Sequence, residues 1–315
     1  MKDYIKHHIK SYKRTYQSLL SFGMMFCLIW IVEPHNLLED INDAPYELII
    51  PWSICYEILV VVLWSGGALA MLSPYKTINF RELILNSFKL QALTLIMPGR
   101  IGDISLIYFL RKKLKKAIVA SFLIVDKVLT LLVTGVVASF GIAYFYNPLY
   151  ALIFLTLILL VLITLKILIS AKPSSNLLSS ISFINNIYRD YLKGIRINLS
   201  EMSNDYKNIV INLLFTLSRS ILAGISFTII LYWYGADVSL WFVIMIQAMA
   251  QIIAIIPITY MGIGLVESIN IYFLGDLGVD ISLVLAASLA TRAIQVLFYL
   301  LVTFIWLRPR MKRLE

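Results

Sequence analysis

Apolar runs recur along the chain from Tyr16 to Leu307, separated by short polar or charged segments. A helix rises about 1.5 Å per residue, so a run of about 20 apolar residues crosses the roughly 30 Å of bilayer hydrocarbon. Six runs are long enough to be read as full spans: residues 16–32, 46–72, 117–146, 148–171, 209–234 and 280–307. The first is near the lower limit, and the longest include interfacial turns or tilt. The pattern therefore predicts an all-α polytopic membrane protein.

Two regions break this pattern. In residues 83–110 a short apolar stretch meets Pro98 and Gly99, and only residues 104–110 follow before a basic cluster. Arms that short suit a re-entrant hairpin. Lys76 and Arg81 before it and Arg111 to Lys116 after it are both basic, so the chain returns to the side it left. Residues 240–274 are bracketed by Asp237 and by Asp276 and Asp280, which predicts a second hairpin entering from the opposite side.

With the hairpins in place, residues 16–146 and 147–315 each follow the order span, span, hairpin, span. Asp103 lies 24 residues before Lys127, and Glu267 lies 25 before Arg292. Three full crossings in the first half invert the second half, giving the inverted-repeat plan of transporters. Residues 1–15 form a basic N-terminal segment. Residues 172–208 join the halves, either as an amphipathic surface helix with Tyr188, Tyr191 and Leu192 inward or as a solvated linker.

Composition agrees with burial in lipid: 60% of residues are hydrophobic and the mean hydropathy is +0.85. The net charge of +9 recommends nucleic acid only until its placement is considered. Lys and Arg flank apolar runs, and the alternate loops carry Glu33, Glu39, Asp40, Asp43, Glu47, Asp237, Asp276 and Asp280 with no Lys or Arg among them. This is the positive-inside pattern, and it predicts both termini on the cytoplasmic side of the inner membrane and no nucleic-acid partner. The first apolar run lacks a cleavage pattern and is read as a retained helix. Cys27 and Cys55 sit in apolar runs, and His7, His8 and His35 in polar flanks, so neither a metal site nor another cofactor is expected. No nucleophile triad, phosphate loop or dinucleotide fingerprint occurs.

Candidate chemistry concentrates in the breaks and in charges within apolar sequence. Non-helical backbone at membrane depth persists only where protein or a water-filled cavity satisfies it. The turns at Pro98, Gly99 and Gly102, and at Pro257, Gly262 and Gly264, therefore predict a cavity. Nine ionisable residues fall in the apolar regions: Glu57, Lys89, Arg100, Asp103, Asp126, Lys127, Arg219, Glu267 and Arg292. Each costs on the order of 3 kcal/mol at a helix centre. Pairing of Arg292 with Glu267, and of Arg100 or Lys127 with Asp103 or Asp126, is the structural reading; the functional one leaves a cation facing the cavity, Arg219 above all. Lys89 reads as a snorkelling residue and Glu57 as a packing residue near one interface. Candidate substrate-binding residues are Arg100, Asp103, Asp126, Lys127, Arg219, Glu267 and Arg292.

The segments "MPGRIGDISLIYFLRKK", "ASFLIVDKVLTLL" and "IPITYMGIGLVESINIYFLGDLGVDISLVLAASLATRAIQVL" together resemble the lysylphosphatidylglycerol synthase transmembrane family, a flippase-like membrane module. The family pattern falls on Pro98, Gly99, Gly102 and Asp103, on Asp126 and Lys127, on Pro257, Gly262, Gly264 and Glu267, and on Arg292. Asp103 and Lys127 depart from the Glu and Arg usual in relatives, which shortens one carboxylate and replaces a fork by a point charge. The chain ends at Glu315, soon after its last span, so the resemblance implies the translocating module without a soluble aminoacyl-transfer domain. It implies movement of a polar-headed lipid, an anionic phospholipid, an aminoacyl-lipid or a lipid-linked glycan, between leaflets. Neither catalysis nor a cofactor is expected, and a homo-oligomer is left open. The rival expectations are an enzyme or accessory factor acting on lipid-linked sugars and a non-transporting scaffold.

Overall fold

The computed structural model describes residues 2–75, 78–96, 99–170, 185–255, 259 and 262–311. Among these, twelve α-helices follow in order: α1 (Lys2–Ile31), α2 (Pro34–Asn42), α3 (Tyr46–Leu72), α4 (Phe80–Ile96), α5 (Ser105–Leu110), α6 (Lys116–Phe145), α7 (Pro148–Ser170), α8 (Asn185–Asn204), α9 (Tyr206–Trp233), α10 (Leu240–Ile255), α11 (Leu265–Asp276) and α12 (Ile281–Met311). Short 3₁₀ stretches occur at Ser73–Tyr75 and Gly99–Ile104. No strand occurs among the described residues.

Four helical segments among the described residues are long and apolar enough to cross a membrane: Tyr46–Tyr75, Lys116–Phe145, Tyr206–Trp233 and Ile281–Ile305. A fifth exists if Ser18–Ile31 and Pro34–Asn42 count as one span, but they meet at 91°. The bend has a local cause. Proline disfavours helical backbone at the residue before it, and Glu33, before Pro34, sits at φ 64°. Residues 33–43, read from sequence as an acidic loop, thus contain a short helix whose Leu37 joins a core with Leu28, Val32, Leu285 and Ala286. Pro148–Thr164 and Leu240–Ala254 are apolar but shorter.

Burial follows the membrane-protein pattern. Outward positions of α7, such as Leu152, Leu157, Leu160 and Ile163, are exposed hydrophobics, and the same holds for Phe22, Phe26 and Trp30 on α1. Buried positions include Ser65, Asn86, Ser87, Thr134, Asn212, Thr216, Ser220, Asn270 and Ser288. Apolar side chains that face outward in quantity mark a lipid-facing surface, with polar groups turned inward among the helices.

Contacts divide the chain into two compact units, each taking residues from both sequence halves. One contains residues 62–86 and 104–218. In it α6 packs against α5, α7 and α8, and Ser121 Oγ donates to the Ile195 carbonyl at 3.0 Å. Gly66 and Gly67 let α3 approach α9: a Cβ on Gly66 would lie 2.6 Å from Phe215 Cζ, and one on Gly67 2.9 Å from Asn212 Nδ2. The linker segment within this unit is helical as α8; residues 171–184 lie outside the described residues.

The other unit contains residues 1–61, 87–103 and 219–315. Here α12 packs against α2 and α11, and α11 against α10. Both sequence breaks belong to it. Pro98 and Pro257 lie outside the described residues, but the glycines that follow them show the chain doubling back. A Cβ on Gly102 would stand 2.6 Å from Thr94 Cα on α4, and one on Gly262 3.2 Å from Ala254 Cβ on α10.

Candidate functional site

The second of these units holds a polar cavity of about 180 Å³. Its walls come from one face each of five helices. Ser53, Tyr56 and Glu57 lie on α3; Ala223, Ser226, Phe227 and Ile230 on α9; Gln247 on α10; Glu267 and Asn270 on α11; Ser288, Thr291, Arg292 and Gln295 on α12. The spacings of three, four and seven residues are those of a single helical stripe.

Glu267 is 1% exposed and ties together three parts of the wall. Its Oε1 accepts from Arg292 Nε at 2.8 Å and from Nη2 at 2.7 Å. Its Oε2 accepts the Gly264 backbone N–H at 2.7 Å. That last bond closes the start of α11, where Gly264 adopts φ 86°, a left-handed conformation that glycine takes without steric cost. A Cβ on Gly264 would also meet Met24 Cβ at 2.6 Å. One carboxylate therefore joins the turn, the helix start and α12.

Glu57 is 6% exposed and is held differently, by two neutral donors. Gln295 Nε2 donates to Oε1 at 2.7 Å, and the Tyr299 hydroxyl donates to Oε2 at 2.7 Å. Gln247 Nε2 donates to Asn270 Oδ1 at 3.1 Å, and Asn270 Nδ2 reaches Ser288 Oγ at 3.5 Å. Trp52 Nε1 donates to Ser226 Oγ at 3.1 Å. Ser53 Oγ, on a residue 4% exposed, is buried without a hydrogen-bond partner. The cavity thus carries two carboxylates, one guanidinium and a majority of amide and hydroxyl groups. Among the described residues no cluster of three His, Cys, Asp or Glu is placed to hold a metal ion.

A family model described as the lysylphosphatidylglycerol synthase TM region matches residues 16–303. The chain belongs to this family. No curated protein matches the chain. The match spans every residue that lines the cavity, and it places the protein among multi-pass membrane proteins connected with lipid.

The structure distributes the candidate residues of this family member unevenly. Glu267 and Arg292 meet in the cavity wall, as their spacing predicts. Arg219 is not part of the lining, but it precedes Ala223 by one turn on the cavity-facing stripe of α9, within electrostatic reach of Tyr56. Asp103 is half-buried in the 3₁₀ turn after the first break. The Arg100 side chain lies outside those described. Asp126 and Lys127 belong to the other compact unit. There Asp126, 2% exposed, accepts from Trp64 Nε1 at 3.4 Å, and Trp64 packs edge-on against Phe122 with ring centroids 5.8 Å apart.

Glu57, read from sequence as a packing residue, is buried and also lines the cavity. Gln247, Asn270, Gln295 and Tyr299 escaped sequence reasoning because they carry no charge. The available signal was the run Ser288, Thr291, Arg292, Gln295, Tyr299, which repeats polar groups on one face of an otherwise apolar helix.

Proposed function

We propose that the chain moves a polar-headed lipid, a phospholipid or a polyprenyl-phosphate-linked lipid, between the leaflets of the cytoplasmic membrane. The headgroup passes through the cavity of α3 and α9–α12 while the acyl tails stay in the bilayer. The cavity itself carries this reading. Polar side chains gathered within apolar helices are costly unless they pair or serve a path for a polar substrate, and here, among the described residues, a hydroxyl, Ser53 Oγ, is buried without a partner beside a carboxylate that accepts from two neutral donors.

The finer architecture belongs to the same reading: six full crossings and re-entrant hairpins at residues 83–110 and 240–274, related as an inverted repeat, with both termini cytoplasmic. The close approach of Gly102 to Thr94 and of Gly262 to Ala254 supports the hairpins. Rocking of the repeats would alternate access to the headgroup. Arg219, beside the cavity stripe, meets a phosphate, and the Glu267–Arg292 pair holds the second turn in shape. Arg100 and Asp103 in the same compact unit, and Asp126 and Lys127 in the other, remain candidate substrate contacts. No bond is made or broken in this scheme, so the chain is not assigned as an enzyme.

Purified protein in phosphatidylcholine vesicles containing a fluorescent anionic or glycosylated lipid tests the proposal. Accelerated loss of the inner-leaflet reserve to a membrane-impermeant quencher is the expected result. Rates equal to protein-free vesicles for every such lipid contradict it.

A further inference from the structure

We infer that the cavity of α3 and α9–α12 binds a glycosyl headgroup, so that the lipid moved is one whose polar end is a sugar ring. This rests on the translocation reading and narrows it. The charge of the lining is the first reason. Among the described residues of the lining the one guanidinium, Arg292, gives two N–H groups to Glu267, beside a second carboxylate, Glu57. A phosphate placed within this lining meets Glu57 and neutral amides and hydroxyls, while Arg219 lies outside the lining.

The remaining groups suit a ligand that both donates and accepts. Gln247, Asn270 and Gln295 each present an amide with two donors and an acceptor oxygen. In Gln295 one amide N–H goes to Glu57, and in Gln247 one goes to Asn270. These bonds fix the amide orientations and leave carbonyl oxygens to accept from ligand hydroxyls. Glu57 takes one donor on each carboxylate oxygen, and each oxygen has further acceptor capacity. Two vicinal hydroxyls fill that capacity as a pair. Ser53 Oγ, buried without a partner four residues before Glu57, is the group that a third ligand hydroxyl satisfies.

An ammonium group uses only the acceptors and leaves the amide donors of this wall idle; a phosphate uses only the donors. A polyol uses both. The cavity, of about 180 Å³, is large enough for several waters and for a ring-sized headgroup.

The test uses the full-length chain in phosphatidylcholine vesicles, each preparation carrying one acyl-labelled reporter: monoglucosyl diacylglycerol, phosphatidylglycerol or phosphatidylethanolamine. Movement of the glucosyl lipid should exceed that of both phospholipids by about tenfold, the equivalent of one hydrogen bond to a charged group or two neutral ones. Gln295→Ala and, separately, Asn270→Ala should each lower the glucosyl rate roughly tenfold and the phospholipid rates by a smaller factor; two variants on different helices guard against a folding failure in one. Faster movement of either phospholipid than of the glucosyl lipid overturns this inference and leaves translocation standing, phosphatidylethanolamine marking a cation site. Equal loss of all three rates in both variants also overturns it. Absence of movement for all reporters with the unaltered protein overturns the translocation reading as well.

Discussion

Arg292 is joined to Glu267 twice through one oxygen, with Nε at 2.8 Å and Nη2 at 2.7 Å from Oε1, so that Oε2 remains for the Gly264 N–H. The carboxylate is thereby both an ion-pair partner and the cap of α11. Removing the base leaves a buried anion unneutralised, which costs about 3–5 kcal/mol. Arg292→Ala should melt well below the wild type in detergent. Arg292→Lys keeps the charge but not the fixed fork of donors, and should recover only part of the loss. A wild-type melting curve for Arg292→Ala contradicts the assignment.

Gly264 has a backbone requirement independent of that pair. Its φ of 86°, and the 2.6 Å that would separate a Cβ at this position from Met24 Cβ, both exclude a side chain. Gly264→Ala should cost about 1–3 kcal/mol in strain alone, and Gly278→Ala, at the same φ but in open space, should cost less. Comparing the two melting temperatures separates steric from torsional strain.

Tyr299 is 2% exposed and supplies one of the two bonds to Glu57. Tyr299→Phe preserves packing and leaves Oε2 without that donor, a loss of about 1–3 kcal/mol. Tyr272, 59% exposed, is the control, and Tyr272→Phe should leave the midpoint of unfolding in place. Equal effects of the two changes would show that the Glu57 bond carries nothing.

Trp64, in the other compact unit, separates a polar contact from packing. Its Nε1–H reaches Asp126 at 3.4 Å, a long bond. Trp64→Phe retains a ring against Phe122 and should cost only about 0.5–1.5 kcal/mol. Trp64→Ala removes the packing too and should cost about 3–5 kcal/mol. If the first matches the second in a thermal melt, the hydrogen bond and not the ring holds α3 against α6.

Much of this was legible in the chain. The long apolar runs that become α3, α6, α9 and α12 have no competing interpretation, because a continuous apolar span satisfies its own backbone in lipid only as a helix. The Glu267–Arg292 pair was visible because charges in apolar sequence stand out. Two features were not legible for physical reasons. Residues 34–42 form α2 because Leu37 finds a core contributed by α1 and α12, a tertiary gain invisible in nine mostly polar residues. The cavity wall is built from Gln, Asn, Ser and Tyr, whose modest polarity barely interrupts an apolar run; their shared purpose emerges only when five helices bring them to one place.

If Ser53 and its neighbours line a hydrated space inside the helices, thiol accessibility measures it directly. In a chain carrying Cys27→Ser and Cys55→Ser, Ser53→Cys should react with a small water-soluble thiol reagent added to sealed vesicles. Leu59→Cys, at an exposed apolar position of the same helix, should stay inert. Modification of neither position, or of Leu59→Cys in preference to Ser53→Cys, contradicts a water-filled cavity between α3 and α12.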